Sequence, residues 1–290
     1  EMSIHCELAP AELQFLAKAS EKLSLSPRSY HRVIKVARTI SDLKGNEKIS
    51  LDDLKEAIAE AAKSIKHNIK GQIPRLNVDR VFSPKGVGTV VTGTLSGSEV
   101  TVGDTLMCYP VMQKTSLRHI QMHNSKSDTA SPGSRVGLNL SDVGVDSRAK
   151  PGARRGCLLA PEGLELTQII DVELARVGRE VPGQTATRRE LKNTETVILH
   201  VGSARVKARV ILNDASTLSP GETTFAQLRL EEPIAICVGD HFVLRDGAQQ
   251  GTLAGGQVLD ALAEARKFRT PERAEFLQQR MEAMDTPRNL

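Results

Sequence analysis

Tryptophan is absent from the 290 residues, and only two Tyr and six Phe occur. Hydrophobic cores must therefore be built from Val, Ile and Leu, and stacking of single-stranded bases on aromatic rings is not expected as the chain's main business. Cysteine is sparse as well: Cys6, Cys108, Cys157 and Cys237 are scattered, and none forms a CxxC pair. That spacing argues against a zinc knuckle, a thioredoxin site or a disulfide scaffold, and makes a reducing, cytoplasmic location the expectation. No run approaches about 18 uncharged apolar residues, so no membrane span is expected. The N-terminus shows no basic segment followed by an apolar run, the mark of a secretory signal.

Catalytic constellations are missing too. The sequence contains no GxxxxGK[ST], no HExxH, no GxSxG and no His/Cys cluster with metal spacing. His119 and His123 stand close together in a strand-rich stretch, where that spacing makes no metal face, and they read as two surface histidines. Lys85-Gly86-Val87-Gly88 leads into a strand rather than a helix, so it reads as a tight hairpin and not a phosphate loop. No catalytic residue, metal ligand or cofactor is therefore expected within the chain. The charges nearly balance, 39 Lys plus Arg against 35 Asp plus Glu for a net +4, which permits contact with nucleic acid without arguing for it.

What is present changes texture near residue 70. Before it, apolar residues recur at the helical period: Leu13, Leu16, Ala17 and Leu23, then Tyr30, Val33, Ile34, Ala37 and Ile40, then Leu54, Ala57, Ile58, Ala61 and Ile65. Ser26-Pro27 reads as an N-cap and first-turn proline, and Ser50 with Asp53 as a capping box. After Gly71 the period becomes two. Short apolar runs follow at 87–95, 105–109, 116–121, 135–140 and 157–160, and again at 169–175, 196–201, 203–212, 223–230 and 241–244. Regular strands without intervening helices read as antiparallel barrels, and a break near Pro161-Glu162-Gly163 divides them in two. Val102-Gly103-Asp104 and Val238-Gly239-Asp240 supply one turn signal per barrel. The expected architecture is multidomain, α plus all-β: a three-helix bundle at 1–66, barrels at 67–160 and 161–260, and a helical or frayed tail at 261–290, interrupted by Pro271.

The run from Val78-Asp79-Arg80-Val81-Phe82 through Gly86-Val87-Gly88-Thr89-Val90-Val91-Thr92-Gly93-Thr94 resembles the start of the second domain of translational GTPases. Further strings follow in order: Gly133 to Leu140, Leu218-Ser219-Pro220-Gly221-Glu222, Ala226 to Leu230, Gly239 to Asp246, and Gly255 to Asp260. Together they resemble the bacterial selenocysteine-specific elongation factors over about residues 70–265. The resemblance implies barrels of translation-factor type, with selenocysteinyl-tRNA and the ribosome as partners. It carries the family's aminoacyl pocket onto Asp79, Arg80 and Arg135. A selenol ionises more readily than a thiol, so two guanidinium groups would favour selenocysteine over neutral serine. Arg80, taken as opening the first strand, and Arg135, opening a later one, would share a rim of the barrel. The same residues also read as a plain strand-end ion pair, Asp79 with Arg135 or Lys85.

The stretch Leu25 to Leu43, followed by 49–58, resembles the C-terminal lid of magnesium-chelatase-like AAA+ ATPases, including the competence-associated family. The resemblance implies that Arg28 is a nucleotide-sensing arginine. Arg28, Arg32, Lys35 and Arg38 share the face opposite the apolar stripe and also read as a solvated basic face, or as a DNA-binding one. GTP and Mg2+ would belong to a GTPase domain, and ATP to an AAA+ core, that this sequence does not carry; the winged helices expected after the barrels are likewise not seen. The alternatives are an AAA+ accessory piece in DNA processing, or a non-catalytic interaction module.

Overall fold

The computed structural model describes residues 8–22, 27–46, 48–64, 72–122, 125–178, 189–248 and 251–285. It forms two compact units, Glu1–Asn68 and Ile69–Leu290. In the first, α1 (Pro10–Lys22), α2 (Pro27–Leu43) and α3 (Leu51–Ser64) surround a core of Leu16, Val33, Ile34, Ala37, Ile49, Leu54 and Ala57. Leu13, placed on the apolar face by its period, is 47% exposed, and Phe15 packs against the core instead. The Ser50–Asp53 box is closed in both directions: Ser50 N donates to Asp53 Oδ2 at 2.9 Å, and Asp53 N donates to Ser50 Oγ at 3.2 Å. Lys44 adds an ion pair to the 1%-exposed Asp53 at 3.0 Å. The proposed N-cap Ser26, and with it Leu23 and Ile65, lie outside the described residues.

The second unit holds two barrels. The first is built from β1 (Arg75–Phe82), β2 (Thr89–Ser96), β3 (Val100–Thr101), β4 (Thr105–Tyr109), β5 (Gln113–Met122), β6 (Ser125–Ser127), β7 (Thr129–Ala130), β8 (Arg135–Leu140) and β9 (Leu158–Ala160). Its strand order is β4-β9-β1-β2-β8-β5, and β5 pairs back onto β4 to close it. The second comprises β10 (Leu166–Arg176), β11 (Leu191–Lys192), β12 (Thr196–Val201), β13 (Ala204–Leu212), β14 (Thr217–Leu218), β15 (Thr223–Ala235), β16 (His241–Arg245) and β17 (Thr252–Asp260), closed in the order β10-β15-β13-β12-β16-β17. Aliphatic side chains fill both interiors, as the missing aromatics require: Leu76, Val78, Val91 and Leu138 in one, Ile170, Val172, Leu199 and Val210 in the other.

The two Val-Gly-Asp turns are built alike. Gly103 and Gly239 take φ of 97° and 92°, a region open to glycine, and each aspartate accepts from the backbone N–H three residues before it, at 2.7 Å for Asp104 and 2.9 Å for Asp240. Asp240 also accepts from Arg75 Nη1 at 2.7 Å, which ties the two barrels together. Pro271 does not interrupt a helix. It is the first residue of α4 (Pro271–Asp285), where its missing N–H costs nothing, and Thr270 Oγ1 accepts from Arg273 N at 3.3 Å to cap the turn. No helix among the described residues is long and apolar enough to cross a membrane.

Candidate functional site

A β-bulge creates the site. β1 pairs with β2 as Val78↔Gly93 and then Arg80↔Thr92, so Asp79 is the extra residue. Burial shows the consequence. Leu76 and Val78 point into the barrel before the bulge, and Val81 packs on the same core after it. Asp79 and Arg80 therefore both face outward, whereas an unbroken strand would have turned one of them inward. Arg135 begins β8, opposite Thr94, and its exposed side chain lies on the same outer face.

There the side chains meet. Arg135 grips Asp79 with both terminal nitrogens, Nη1 to Oδ2 and Nη2 to Oδ1, the latter at 3.0 Å. Thr92 Oγ1 donates to Asp79 Oδ1 at 2.8 Å and accepts from Arg135 Nη2 at 3.4 Å. Partial burial pushes the Asp79 carboxyl up, but the hydrogen bonds from Arg135 and Thr92 and the charges of Arg135 and Arg80 outweigh it and hold the pKa below the usual carboxylate range. The same carboxylate, by its hydrogen bond, raises the pKa of Arg135. Arg80 acts on Asp79 through its charge and makes no hydrogen bond or ion pair among the described residues. The arrangement is one cation committed to one anion, with a second cation beside them whose donors are unspent.

The structure thus joins Asp79, Arg80 and Arg135, and pairs Asp79 with Arg135 rather than with Lys85. The place differs from the expected one. Arg80 does not open β1, which starts at Arg75, and the meeting point is the outer face of β1, β2 and β8 rather than a barrel rim. Thr92 was missed by the sequence reading; the signal available was its place opposite Arg80 in the β1–β2 hairpin. A cavity of about 200 Å³ between the barrels, lined by Arg75, Asn77, Tyr109, Gly202, Asp240 and His241, does not include these residues. Arg28 lies on the first turn of α2, in the helical unit. On that helix Arg38 is engaged by Asp42 at 2.5 Å and by the Asn46 carbonyl at 2.6 Å. Lys85 to Gly88 form a tight turn, with Val87 N donating to Pro84 O at 3.0 Å, so no helix N-terminus is offered to a phosphate there. His119 is exposed on β5, and His123 lies outside the described residues.

Known proteins resemble each part. The family model described as selenocysteine-specific elongation factor, beta-barrel domain, matches residues 179–265. That of magnesium chelatase, subunit ChlI C-terminal, matches residues 1–60. The selenocysteine-specific elongation factor of Desulfomicrobium baculatum is 31% identical over 220 residues, 76% of this chain and 32% of that protein. Competence protein ComM of Haemophilus influenzae is 45% identical over 62 residues, 21% of this chain and 12% of that protein. A crystal structure of bacterial selenocysteine-specific elongation factor EF-Sec shares the fold with a TM-score of 0.63 at 22% identity, over 90% of this chain and 42% of that one. The chain spans about a third of the length of the selenocysteine factors it matches. It is thus a homologue of the selenocysteine-specific elongation factors through its β-barrels, carrying ahead of them a segment homologous to the C-terminal part of magnesium chelatase subunit ChlI.

Proposed function

We propose that the barrels form a cytoplasmic tRNA-handling module that holds the selenocysteinyl end of its tRNA on the face formed by Asp79, Arg80 and Arg135, as part of ribosomal selenocysteine insertion. The observation that supports this most is Arg80, a cation with unused donors fixed beside an ion pair that already satisfies Arg135. An arriving selenolate meets a net charge of +1 and one open guanidinium, whereas a neutral serine hydroxyl leaves that guanidinium without an anionic partner. Asp79 has a second task, accepting from the aminoacyl ammonium group at a carboxylate lone pair that Arg135 and Thr92 leave open. These residues bind and discriminate; no bond is made or broken by them. On the same reading Arg28 would meet a nucleotide phosphate supplied by a separate ATPase core.

The direct test is Arg80→Gln. Loss of one charge-assisted contact costs about 1.5–3 kcal/mol, roughly ten- to a hundredfold in affinity. Affinity for selenocysteinyl-tRNA should fall by that factor while affinity for seryl-tRNA stays within about twofold. A parallel fall for both ligands, or for neither, refutes the assignment. The DNA-processing reading finds less support, because Arg38, one of the four basic residues of α2, is turned onto its own helix and the loop after it.

A further inference from the structure

The cavity of about 200 Å³ between the barrels takes a wall from each of them. On β1, Leu76 and Val78 point into the first barrel, so Asn77 between them faces out. Its partner on β9 is Leu158, whose neighbour Leu159 is inward, so Asn77 and Leu158 stand side by side on the outer wall. The second barrel supplies the β12–β13 hairpin, where Val201 pairs with Ala204, and Ile234 and Ala235 at the end of β15. Three contacts fix the spacing of the walls. Arg75 Nη1 donates to Asp240 Oδ1 at 2.7 Å. Asn77 lies on the Gly202 backbone, where a Cβ would come within 2.2 Å of its Oδ1. A Cβ at Gly156 would come within 3.3 Å of the Ala204 Cα.

The polar lining is one continuous stretch. Arg75 and Asn77 share the outer face of β1, Arg75 touches Asp240, and His241 follows Asp240 in the chain. Arg75 and Asp240 cancel in charge, and Asp240 also accepts from Cys237 N at 2.9 Å. Tyr109 lines the cavity too, but its hydroxyl is spent, donating to Pro161 O at 3.0 Å and accepting from Leu164 N at 3.1 Å. The Asn77 amide and the His241 ring make no hydrogen bond or ion pair among the described residues. Neither is sealed off: Asn77 is half-buried and His241 exposed. A pre-formed cavity with apolar walls and a few unspent polar groups has the make-up of a small-ligand site.

We propose that this cavity takes a pyrimidine base, its ring between Leu158 of the first barrel and Val201 and Ile234 of the second, and its edge on the Asn77 amide. Size sets the ring. A cavity of about 150 Å³ takes benzene, so about 200 Å³ takes a six-membered ring with small substituents and not a purine. Charge sets the class. A lone anion would face Asp240 and a lone cation Arg75, whereas a neutral heterocycle with donors and acceptors on one edge meets no repulsion. An amide offers one donor and one acceptor side by side, the pattern that pairs bidentately with a base edge. The walls are largely aliphatic, so the base is sandwiched by packing and not stacked on rings. Its source is either a free nucleoside or an unstacked base of single-stranded RNA, which share this chemistry. The site uses none of Asp79, Arg80 or Arg135, so it stands or falls apart from the aminoacyl reading.

The test is equilibrium dialysis of labelled uridine and cytidine against the full chain, with 15N NMR of the Asn77 side-chain amide, assigned by its loss in Asn77→Ser. Both nucleosides should bind saturably and shift that amide, adenosine should bind at least about tenfold more weakly, and ribose should not bind. Ala235→Leu, which fills the cavity from the second barrel, should abolish binding, and Asn77→Ser should weaken it about tenfold. A single-stranded oligouridylate is then compared with uridine at equal base concentration. Tighter binding of the oligomer with the same Asn77 shift identifies an RNA base as the ligand, and no gain identifies a free nucleoside. Absence of saturable binding by both pyrimidine nucleosides, adenosine binding equal to theirs, or binding unchanged in both variants overturns the proposal.

Discussion

Replacing Arg273 with Met should destabilise the second barrel more than any surface charge change in the chain. Asp171 lies in the middle of β10 with 0% exposure, its strand neighbours Ile170 and Val172 both in the core. Two donors keep it there, Gln227 Nε2 at 2.9 Å and Arg273 Nε at 2.8 Å, and Arg273 Nη2 adds an ion-pair contact at 2.6 Å. Arg273 Nη2 also reaches Asp260 at 2.6 Å, so one guanidinium pins α4 to β10 and β17 together. Removing it leaves Asp171 buried with Gln227 alone. Stranding one member of a buried pair costs about 3–5 kcal/mol, against about 0–1 for an exposed pair such as Lys55–Asp52. Burial already raises the Asp171 pKa, with Gln227 and Arg273 opposing the rise. Without Arg273 it goes higher, and the native state then keeps a proton that the unfolded state has released. Variant stability therefore falls as pH rises above the unfolded carboxylate pKa of about 3.9, and the deficit against the native chain narrows on acidification. Urea melts followed by far-UV circular dichroism, taken between about pH 5 and pH 8, measure both. A deficit below about 1 kcal/mol that does not change with pH would refute the reasoning.

Three further outcomes follow from the same geometry. In the helical unit, the backbone N–H of Ser50, with the Ser50 hydroxyl and Lys44, holds the Asp53 pKa at about 2 instead of 3.8. Its stabilisation is complete above the higher value and is lost as pH falls through the lower one. Asp53→Ala should cost the helices about 1–2 kcal/mol at neutral pH and should flatten their acid transition, both read by far-UV circular dichroism. Gly256→Ala would set a Cβ 1.9 Å from the Glu173 carbonyl oxygen, so the β10–β17 seam must open; a cost of about 2–3 kcal/mol is expected, with faster amide exchange on those strands alone. Thr92→Val removes one donor to Asp79 while keeping the shape. It should raise the Asp79 pKa measurably by carbonyl NMR titration, because Arg135 is then the one side chain left donating hydrogen bonds to the carboxylate.

The barrels were legible because alternation of Val, Leu and Thr with polar residues is the physical requirement of a strand with one face in a core. Among the strands longer than three residues, β1 and β17 escaped for identifiable reasons. β1 is missing from the apolar runs, because the bulge at Asp79 breaks its alternation after two inward residues, and Arg80 was taken as its first residue although the strand starts at Arg75. β17 is missing from the apolar runs because Gly255-Gly256 carries no strand preference. In the structure those glycines let the Phe242 and Glu173 carbonyls approach the strand, a demand that only a partner strand reveals. Pro271 was misread because a proline ends one helix and begins another with equal ease, and the cap at Thr270 decides between them. The candidate site was legible as residue types in order. Its outward aim was not, since it depends on the register shift between Val78 and Arg80. The Arg273 tie to Asp171 joins residues far apart in the chain, and no local pattern announces it.

The central claim is that the Asp79 face reads the charge of the aminoacyl group, and the most direct measurement is the affinity of the native chain for one tRNA charged first with selenocysteine and then with serine, at equal salt. The open Arg80 guanidinium predicts tighter binding of the selenocysteinyl form by about tenfold or more, with the difference shrinking as pH is lowered through the selenol pKa. Equal affinity for the two at neutral pH, or a preference indifferent to pH, would contradict it.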